Sequence, residues 1–346
     1  MKIIVDAMGG DCAPNAPVQG ALDARKEYGV DIILVGRAEV ILGEMEKLGI
    51  RELPAGVEIA HAEEVVTMED PPATAFKTKP DSSLTVGLHL LRDGRGDAFV
   101  SAGSTGALLS AATLVIKRIK GIRRAAMAPV LPTGEGGTIL IDCGATAECT
   151  PEYLLQYAFM GSYYAKQCLS KVKPRVGLLN IGEEAGKGTT LHREANVLLR
   201  QADEAGQIFF VGNVEPQAAI TGTVDVVVSD GFSGNIFLKA YEGTALYLSH
   251  ALKLMFKKNF GSKLAAMLVM GDIQKLKQQM DPSEVGGTAL LGISKPVIKA
   301  HGASNAYALQ NAIRQAKQFA ESNLIEDITQ NVDQMRIPIA HDGGEK

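Results

Sequence analysis

Six short segments of the sequence each place a glycine beside a small polar or acidic residue, directly after an apolar run. They span residues 6–11, 101–107, 142–146, 180–184, 230–235 and 301–305. Glycine lets backbone N–H groups approach an anion, and a helix that begins after such a turn adds the positive end of its dipole. These segments are therefore typical of loops that bind phosphate. Their candidate phosphate- or substrate-binding residues are Asp6, Gly9, Gly10, Gly103, Ser104, Thr105, Gly106, Asp142, Gly144, Glu183, Asp230, Gly231, Gly234, Gly302 and Ser304.

Two well-known phosphate-binding motifs are not matched. No G-x-G-x-x-G pattern follows a predicted strand, so a Rossmann dinucleotide site is not supported. Residues 182–189 resemble a P-loop, but the spacing between its first two glycines does not match the P-loop pattern, and Gly188 separates Lys187 from Thr189. The remaining pattern favours a small or single phosphate, with Lys187 as a nearby positive charge. Taken one at a time, each segment could also be an ordinary turn between a strand and a helix.

The elements that must position these loops alternate between short apolar runs and helical stretches. The runs include residues 3–5, 32–35, 98–100, 139–141, 176–180, 208–211 and 224–228. Continuous apolar runs of this length suit strands buried on both faces, and the helical stretches suit crossover connections. The pattern predicts a three-layer α/β/α fold with a mostly parallel sheet. In such sheets ligands bind beyond the carboxyl ends of the strands.

Helix signals support the same class of fold. A Thr-Pro-Glu sequence at 150–152 supplies an N-cap, a first-turn proline and a first-turn acid, and predicts a helix to about residue 169. Residue 81 or 82 is a candidate N-cap for a helix that extends through residue 91. A long helical region is predicted from about residue 235 to residue 280, with a break at residues 261–262.

Composition and charge exclude several classes of protein. The 346 residues carry a formal net charge of −4, which argues against a nucleic-acid binder with a basic surface throughout. The four cysteines show no C-x-x-C spacing, so we predict neither a zinc site nor a disulfide framework and favour a reducing cytosol. Asp6 interrupts the first apolar run, so no signal peptide is predicted. Residues 98–116 carry no charge but contain glycines and hydroxyl residues, and we interpret them as strand, turn and helix rather than a membrane span.

Together with residues 285–287, the six segments resemble the motif set of the bacterial phosphate acyltransferases of phospholipid synthesis. The resemblance extends from residue 1 to about residue 320 and keeps the order of the motifs. It implies transfer of a long fatty acyl chain from the thioester of acyl carrier protein to inorganic phosphate, without metal or organic cofactor. It also implies delivery of the acyl phosphate to a membrane-bound glycerol-3-phosphate acyltransferase, an isocitrate/isopropylmalate dehydrogenase-like fold of two intertwined lobes, and a homodimer. Ser104 and Thr146 stand where that family usually or commonly has asparagine.

This reaction requires two anionic centres to be held together while the thioester carbonyl is polarised. Lys187 and the backbone N–H groups of residues 103–106 and 231–235 are the candidates for phosphate. Asn235 or Asn180 could donate a hydrogen bond to the carbonyl oxygen, and His301 could protonate the leaving thiolate. His301 could instead cap a turn, and Lys187 could be a solvated loop residue.

The remaining polar groups of these loops have simpler interpretations. Asp6, Asp142 and Asp230 are interpreted as acceptors that hold the loops, in preference to proton carriers. Cys143 is interpreted as a small buried thiol rather than as a nucleophile.

Two basic segments are candidates for contact with partners. Residues 250–280 hold six lysines against one acid, among hydrophobic side chains. This segment could lie on an anionic membrane, dock the acidic carrier protein, or form a dimer interface with solvated lysines. A second cluster at residues 118–124 suits carrier-protein docking equally well. The candidate contacts are Lys253, Lys257, Lys258, Lys263, Arg123 and Arg124.

We expect residues 1–337 to form one catalytic unit, with the basic amphipathic helical segment at about 247–281 and a disordered tail at 338–346. The expected location is the cytoplasm, with peripheral membrane contact and no nucleic-acid partner. Two other hypotheses are a nicotinamide-dependent hydroxy-acid oxidoreductase on the same fold and a non-catalytic module that binds the carrier protein or a membrane.

Overall fold

The structure is a computed structural model that describes residues 1–133, 136–271 and 282–336. Within these residues eleven strands form one sheet. The strands are β1 (Lys2–Asp6), β2 (Asp31–Gly36), β3 (Val57–His61), β4 (Ala98–Ser101), β5 (Ala126–Leu131), β6 (Thr138–Ile141), β7 (Arg175–Leu179), β8 (Phe209–Val214), β9 (Val226–Val228), β10 (Gly287–Leu291) and β11 (Val297–Ala300). Every apolar run named above as a predicted strand overlaps one of them, because continuous β-branched runs suit a pleat buried on both faces.

The sheet consists of two parallel blocks joined by antiparallel strands. Its order is β3-β2-β1-β4-β11-β10-β5-β6-β9-β7-β8. Strands β3, β2, β1, β4 and β11 are parallel to one another, as are β6, β9, β7 and β8. Strands β10 and β5 lie between the blocks, and each pairs antiparallel with both of its neighbours. The chain crosses to the second block through β5 and returns through β10.

Helices cover both faces of the sheet, which confirms the three-layer α/β fold. They are α1 (Asn15–Tyr28), α2 (Ala38–Lys47), α3 (Ala75–Thr78), α4 (Ser83–Arg92), α5 (Thr105–Ala111), α6 (Pro151–Cys168), α7 (Thr190–Glu204), α8 (Pro216–Thr221), α9 (Gly231–Lys257), α10 (Phe260–Leu268), α11 (Pro282–Val285), α12 (Ala306–Glu321) and α13 (Leu324–Gln330), with a π turn (Ala112–Ile116) and a 3₁₀ turn (Val332–Met335).

Each face of the sheet has its own hydrophobic core. In β1, Ile3 and Val5 belong to one core and Ile4 to the other, because successive side chains of a strand point to opposite faces. The first core is closed by α1, α2, α6, α7, α12 and α13, and the second by α4, α5, the π turn and α8. The last residues of several strands, such as Ile141, Val228 and Ala300, belong to the first core, and the loops that carry polar groups begin directly after them.

Helix ends agree with the predicted signals except in the long helical region. Ser82 caps α4 by accepting the N–H of Thr85, and α6 starts at Pro151. The predicted break at residues 261–262 is wrong: α9 ends at Lys257, and Asn259 caps α10 by accepting the N–H of Ser262. Asparagine is a strong N-cap because its side-chain oxygen satisfies a first-turn N–H. Residues 272–281 of the amphipathic segment and the tail at 338–346 lie outside the described residues.

Candidate functional site

The loops after β1, β4 and β11 meet in one cluster, which we call the Asp6 group (residues 6–11, 101–107 and 299–305). Asp6 is buried at the end of β1, where its Oδ2 accepts the hydroxyl of Ser101 at 2.7 Å and its Oδ1 accepts the N–H of Met8 at 3.1 Å. Burial raises the pKa of the Asp6 carboxyl, and the hydrogen bonds it accepts offset only part of that shift. Asp6 therefore ties two strand ends together, in the holding role predicted for it.

Two glycines allow these loops to touch. A Cβ on Gly9 would lie 2.5 Å from Asp6 Oδ2 and 2.9 Å from the backbone nitrogen of Gly103. Gly10 has a φ of +102°, which favours glycine, and the next residue, Asp11, donates its N–H to the carbonyl of Gly302 at 2.8 Å. The close approach of the three loops thus depends on the absence of side chains at these positions.

Lys299 is the functional candidate that sequence reasoning missed. It lies in β11 with only 6% of its surface exposed, and its ammonium donates to the carbonyls of Ala102, at 3.2 Å, and Ala300. Burial lowers its pKa to about 8, although the carboxylates of Asp6 and Asp11 act in the opposite direction. The available signal was a single charge inside the apolar run 297–300, since a buried lysine needs nearby partners.

The Asp6 group also contains donors that no group in the described chain accepts. The side chain of Ser104 makes no capping hydrogen bond, and the N–H groups of residues 105–107 at the start of α5 find no acceptor among the described residues. The hydroxyl of Ser304 is buried without a partner there as well. His301 is exposed, and its Nδ1 accepts the N–H of Ala303 at 3.2 Å, which leaves Nε2 available.

The loops after β6 and β9 touch, since the N–H of Gly231 donates to the carbonyl of Thr146, and the loop after β7 follows the strand that pairs with β9; we call the three loops the Asp142 group (residues 142–146, 180–188 and 229–235). Asp142 is fully buried and accepts the N–H groups of Met127, Ala145 and Thr146 at 2.9, 3.1 and 2.7 Å. Burial raises the pKa of its carboxyl against the effect of those bonds. Asp230 caps α9 by accepting the N–H groups of residues 232 and 233. Both carboxylates therefore organise loops.

The start of α9 has no free N–H group up to Gly234. The N–H of Gly231 donates to Thr146 and that of Gly234 to the carbonyl of Asp230, both at 3.0 Å, and Asp230 takes the two between them. This differs from α5, whose first N–H groups are unused. Asn235 is the group here that remains available: its amide faces Gly144, and no hydrogen-bond partner for it exists among the described residues.

Residues 180–188 form a loop held by Asn180. Its Nδ2 donates to the carbonyl of Lys187 at 3.1 Å, and its Oδ1 accepts the N–H of Ile181 at 2.8 Å. Both ends of the Asn180 amide are thus engaged within the loop. Lys187 and Glu183 are exposed. Cys143, in the neighbouring loop, is 3% exposed and burial raises the pKa of its thiol well above its usual value, as expected for a packing residue.

Among the described residues, no hydrogen bond or ion pair joins the two groups, so their relative orientation depends on the twist of the sheet between them. Strands β4 and β9 are five steps apart in the sheet and run in opposite senses. An average twist of roughly 20–25° per step turns the strand direction by about 100–125°, which leaves about 55–80° between the two sets of strand ends. From this twist we expect the two groups to face one side of the molecule rather than opposite ends.

The predicted partner contacts lie outside the two loop groups. Lys253 and Lys257 are exposed on α9 and Lys258 directly after it, together with apolar side chains such as Leu254 (57% exposed). Lys263 belongs to α10, whose Phe260 and Leu268 are more than 80% exposed. Arg123 and Arg124 are exposed in the segment before β5. Among the described helices, none combines the length and apolarity needed to cross a bilayer.

Comparison with known proteins identifies the family. The family model described as "Fatty acid synthesis protein" matches residues 1–327. A phosphate acyltransferase from Thermoanaerobacter pseudethanolicus is 43% identical over 336 residues, which cover 97% of this chain and 98% of that protein. The chain belongs to this family. Membership in the phosphate acyltransferases confirms the resemblance drawn from the six segments and the predicted class of enzyme.

Solved structures support the fold alone. A phosphotransacetylase from Streptococcus pyogenes matches with a TM-score of 0.61 at 18% identity, over 92% of this chain and 94% of that chain. A putative 4-hydroxythreonine-4-phosphate dehydrogenase from Salmonella typhimurium matches with a TM-score of 0.55 at 14% identity, over 92% and 99%. The phosphate acyltransferase fold of this chain is thus shared with phosphotransacetylases and with dehydrogenase-like proteins, as predicted.

Proposed function

We propose that this phosphate acyltransferase moves a long-chain acyl group from the thioester of acyl carrier protein to inorganic phosphate. The observation that carries the assignment of the site is the Asp6 group. It combines a buried ammonium (Lys299), an orphaned buried hydroxyl (Ser304) and unused N–H groups at the start of α5. Preorganised donors of this kind suit a phosphate dianion, since they need no reorganisation when the anion binds.

In the proposed reaction a phosphate oxygen attacks the thioester carbonyl carbon. A C–O bond forms, the C–S bond breaks, and the thiolate leaves with the electron pair and takes up one proton. Phosphate is itself the nucleophile, so no covalent enzyme intermediate is needed. The protein contributes by holding both reactants in place and by stabilising charge on the carbonyl oxygen.

We assign roles to the residues of the two groups. Lys299, Ser304, Ser104 and the unused N–H groups of residues 105–107 hold phosphate, while exposed Lys187 adds positive charge from the Asp142 group. The Asn235 amide donates to the carbonyl oxygen, and Asn180 supports the loop that carries Lys187. His301 protonates the leaving thiolate through Nε2, because Nδ1 already accepts a backbone N–H. The glycines and the three aspartates shape the two groups.

One assay tests this proposal. Purified protein is incubated with long-chain acyl carrier protein and phosphate, without added metal or nicotinamide, and acyl phosphate is trapped with hydroxylamine. We expect hydroxamate formation that depends on both substrates. Product that forms only when a nicotinamide cofactor is present would instead support the oxidoreductase hypothesis, and binding of the carrier protein without product would support a non-catalytic module.

We further propose that the surface of α9 and α10 binds the membrane to which the product is delivered. It combines exposed lysines with exposed apolar side chains, the combination that binds anionic membrane surfaces. The acyl phosphate would then leave toward a membrane-bound glycerol-3-phosphate acyltransferase from a cytoplasmic, peripherally bound enzyme. Apolar area on the same helices also suits a homodimer contact.

Charge reversal tests the membrane contact. Lys257→Glu with Lys258→Glu should lower the fraction of protein that sediments with phosphatidylglycerol vesicles, because each lysine near an anionic surface contributes about 1 kcal/mol. The control is Arg51→Glu with Arg95→Glu, an equal charge change at exposed positions elsewhere. Sedimentation that falls equally in both variants would indicate a general effect of charge rather than contact through α9.

A further inference from the structure

An arginine-rich cavity lies outside the two loop groups. It has a volume of about 600 Å³, and its lining includes Arg118, Arg123, Arg124 and Arg336 together with Tyr153. Arg124 packs over the ring of Tyr153, with 5.8 Å between the guanidinium carbon and the ring centroid. The four arginines come from the segment before β5 and from the residue that follows the 3₁₀ turn, so distant parts of the chain build this cavity.

The platform that carries these arginines is rigid. Ile119 and Ile122 are each 4% exposed and anchor the segment in the core. Gln156 of α6 is buried, accepts the N–H of Arg123 at 2.8 Å and donates to the carbonyl of Gly121 at 3.1 Å. Because the backbone is fixed from both sides, the exposed arginines are held together rather than spread through solvent.

Very little negative charge compensates the four arginines of the cavity. Within the described residues, one carboxylate forms an ion pair with any of the four: Asp333, 3.5 Å from Arg336 and 88% exposed. Arg118 donates to the carbonyl of Arg123, a neutral acceptor. Four like charges in one cavity repel each other, and an anionic partner relieves that repulsion. Guanidinium groups suit this role because their planar forks bind carboxylate or phosphate with two hydrogen bonds.

Short chain segments connect the cavity to the Asp142 group. Arg124 lies three residues before Met127, whose N–H donates to Asp142. Tyr153 lies in the first turn of α6, the helix that follows the loop of Asp142 directly. A partner seated on the arginines would therefore stand next to loops that we assign to the thioester carbonyl.

We propose that the arginine cavity is the docking site for the acidic carrier protein that brings the acyl thioester. This inference rests on the proposed function. It separates two basic surfaces that the sequence left equivalent. The α9–α10 surface joins lysines to exposed apolar side chains, which suits a membrane contact, whereas the cavity presents guanidinium groups from a fixed backbone in a concavity, which suits recognition of clustered carboxylates.

Charge reversal at the cavity tests the docking. The test variant combines Arg123→Glu and Arg124→Glu, and we compare this double variant with the wild type. Two acyl donors are used: long-chain acyl carrier protein, and the same acyl chain on N-acetylcysteamine, which has no protein to dock. We expect the ratio of kcat/KM for the carrier-bound donor to that for the small thioester to fall by roughly 10- to 100-fold. The dissociation constant for fluorescently labelled carrier protein should rise by a similar factor.

Matched variants make the result specific. Arg51→Glu with Arg95→Glu changes the net charge equally and should leave both measurements near the wild-type values. Arg123→Gln with Arg124→Gln should show a smaller effect, because it removes attraction without adding repulsion. Thermal unfolding identifies any variant that fails to fold, and the glutamine variant then replaces it.

Several outcomes would overturn the docking proposal. An unchanged ratio together with an unchanged dissociation constant would do so, as would loss of anionic-vesicle binding with carrier binding intact. An equal fall with both donors would make the arginines structural rather than docking residues. If the wild type makes no acyl phosphate from either donor, the proposed function fails, and the binding measurement alone decides the cavity: weaker carrier binding in the variant supports it.

Discussion

Replacing Lys299 by methionine should lower kcat/KM for phosphate by roughly 100-fold or more, because it removes a preorganised buried charge from the anion site. Methionine keeps an unbranched side chain of similar reach but cannot donate a hydrogen bond. The carbonyls of Ala102 and Ala300 lose their ammonium donor as well, so we also expect a loss of about 1–3 kcal/mol in the free energy of unfolding. Steady-state kinetics with phosphate as the varied substrate and urea unfolding measure the two effects separately.

The pH dependence distinguishes a phosphate-binding ammonium from a purely structural one. The pKa of Lys299 is lowered to about 8, so the wild-type ammonium loses its proton as pH rises through 8. Wild-type kcat/KM for phosphate should therefore fall above about pH 8, which gives the pH profile a descending limb. The Lys299→Met variant should have a lower kcat/KM throughout and should lack this descending limb. Lys299→Arg, which stays charged, should retain part of the activity and remove the same limb. A limb that persists in both variants would show that another group titrates there.

Lys187 provides the comparison within the same reaction. It is exposed in the loop held by Asn180, where solvent and salt screen its charge. Lys187→Ala should therefore raise KM for phosphate by less than about tenfold, with a smaller change in KM for the acyl donor. A loss as large as that of Lys299→Met would move the phosphate site from the Asp6 group to the Asp142 group.

The contrast between these two lysines shows what the sequence could predict. Lys187 drew attention because it stands among glycines in a local pattern that resembles a phosphate loop. Lys299 lies in an apolar strand, and its importance arises from Asp6 and Ala102, which are far away in the sequence. Local spacing predicts strands, turns and caps, whereas the partners of a buried charge depend on how distant strands pair.

Strand pairing also explains why the six loops form two groups, which the sequence did not predict. The six loops were expected at the carboxyl ends of a mostly parallel sheet, and the run-and-turn pattern identified the strands that precede them. The grouping of those loops into two sets of three depends on β5 and β10, whose antiparallel pairing reverses the sense of the second block. Hydrophobic periodicity does not encode strand direction, so this division could not be derived from local sequence.

Gly234→Ala should be among the most damaging single substitutions in the chain. A Cβ at this position in the first turn of α9 would lie 2.0 Å from the carbonyl oxygen of Asp142 and 3.3 Å from the Cα of Cys143. These are backbone atoms, so relief requires the loop after β6 to move away from α9. That movement breaks hydrogen bonds to the Asp142 carboxylate and displaces Asn235. We expect a loss of about 2–4 kcal/mol in the free energy of unfolding and most of the acyltransferase activity.

The same helix provides a matched control. Gly243 lies nine residues further along α9, and a Cβ there would meet nothing within 4 Å. Gly243→Ala should therefore raise the free energy of unfolding by about 0.5–1 kcal/mol, since alanine has a higher helix propensity than glycine. Urea unfolding and turnover of both variants separate the contact from helix propensity. If Gly234→Ala were as stable and active as Gly243→Ala, the close packing of α9 against the Asp142 loop would not be what positions Asn235.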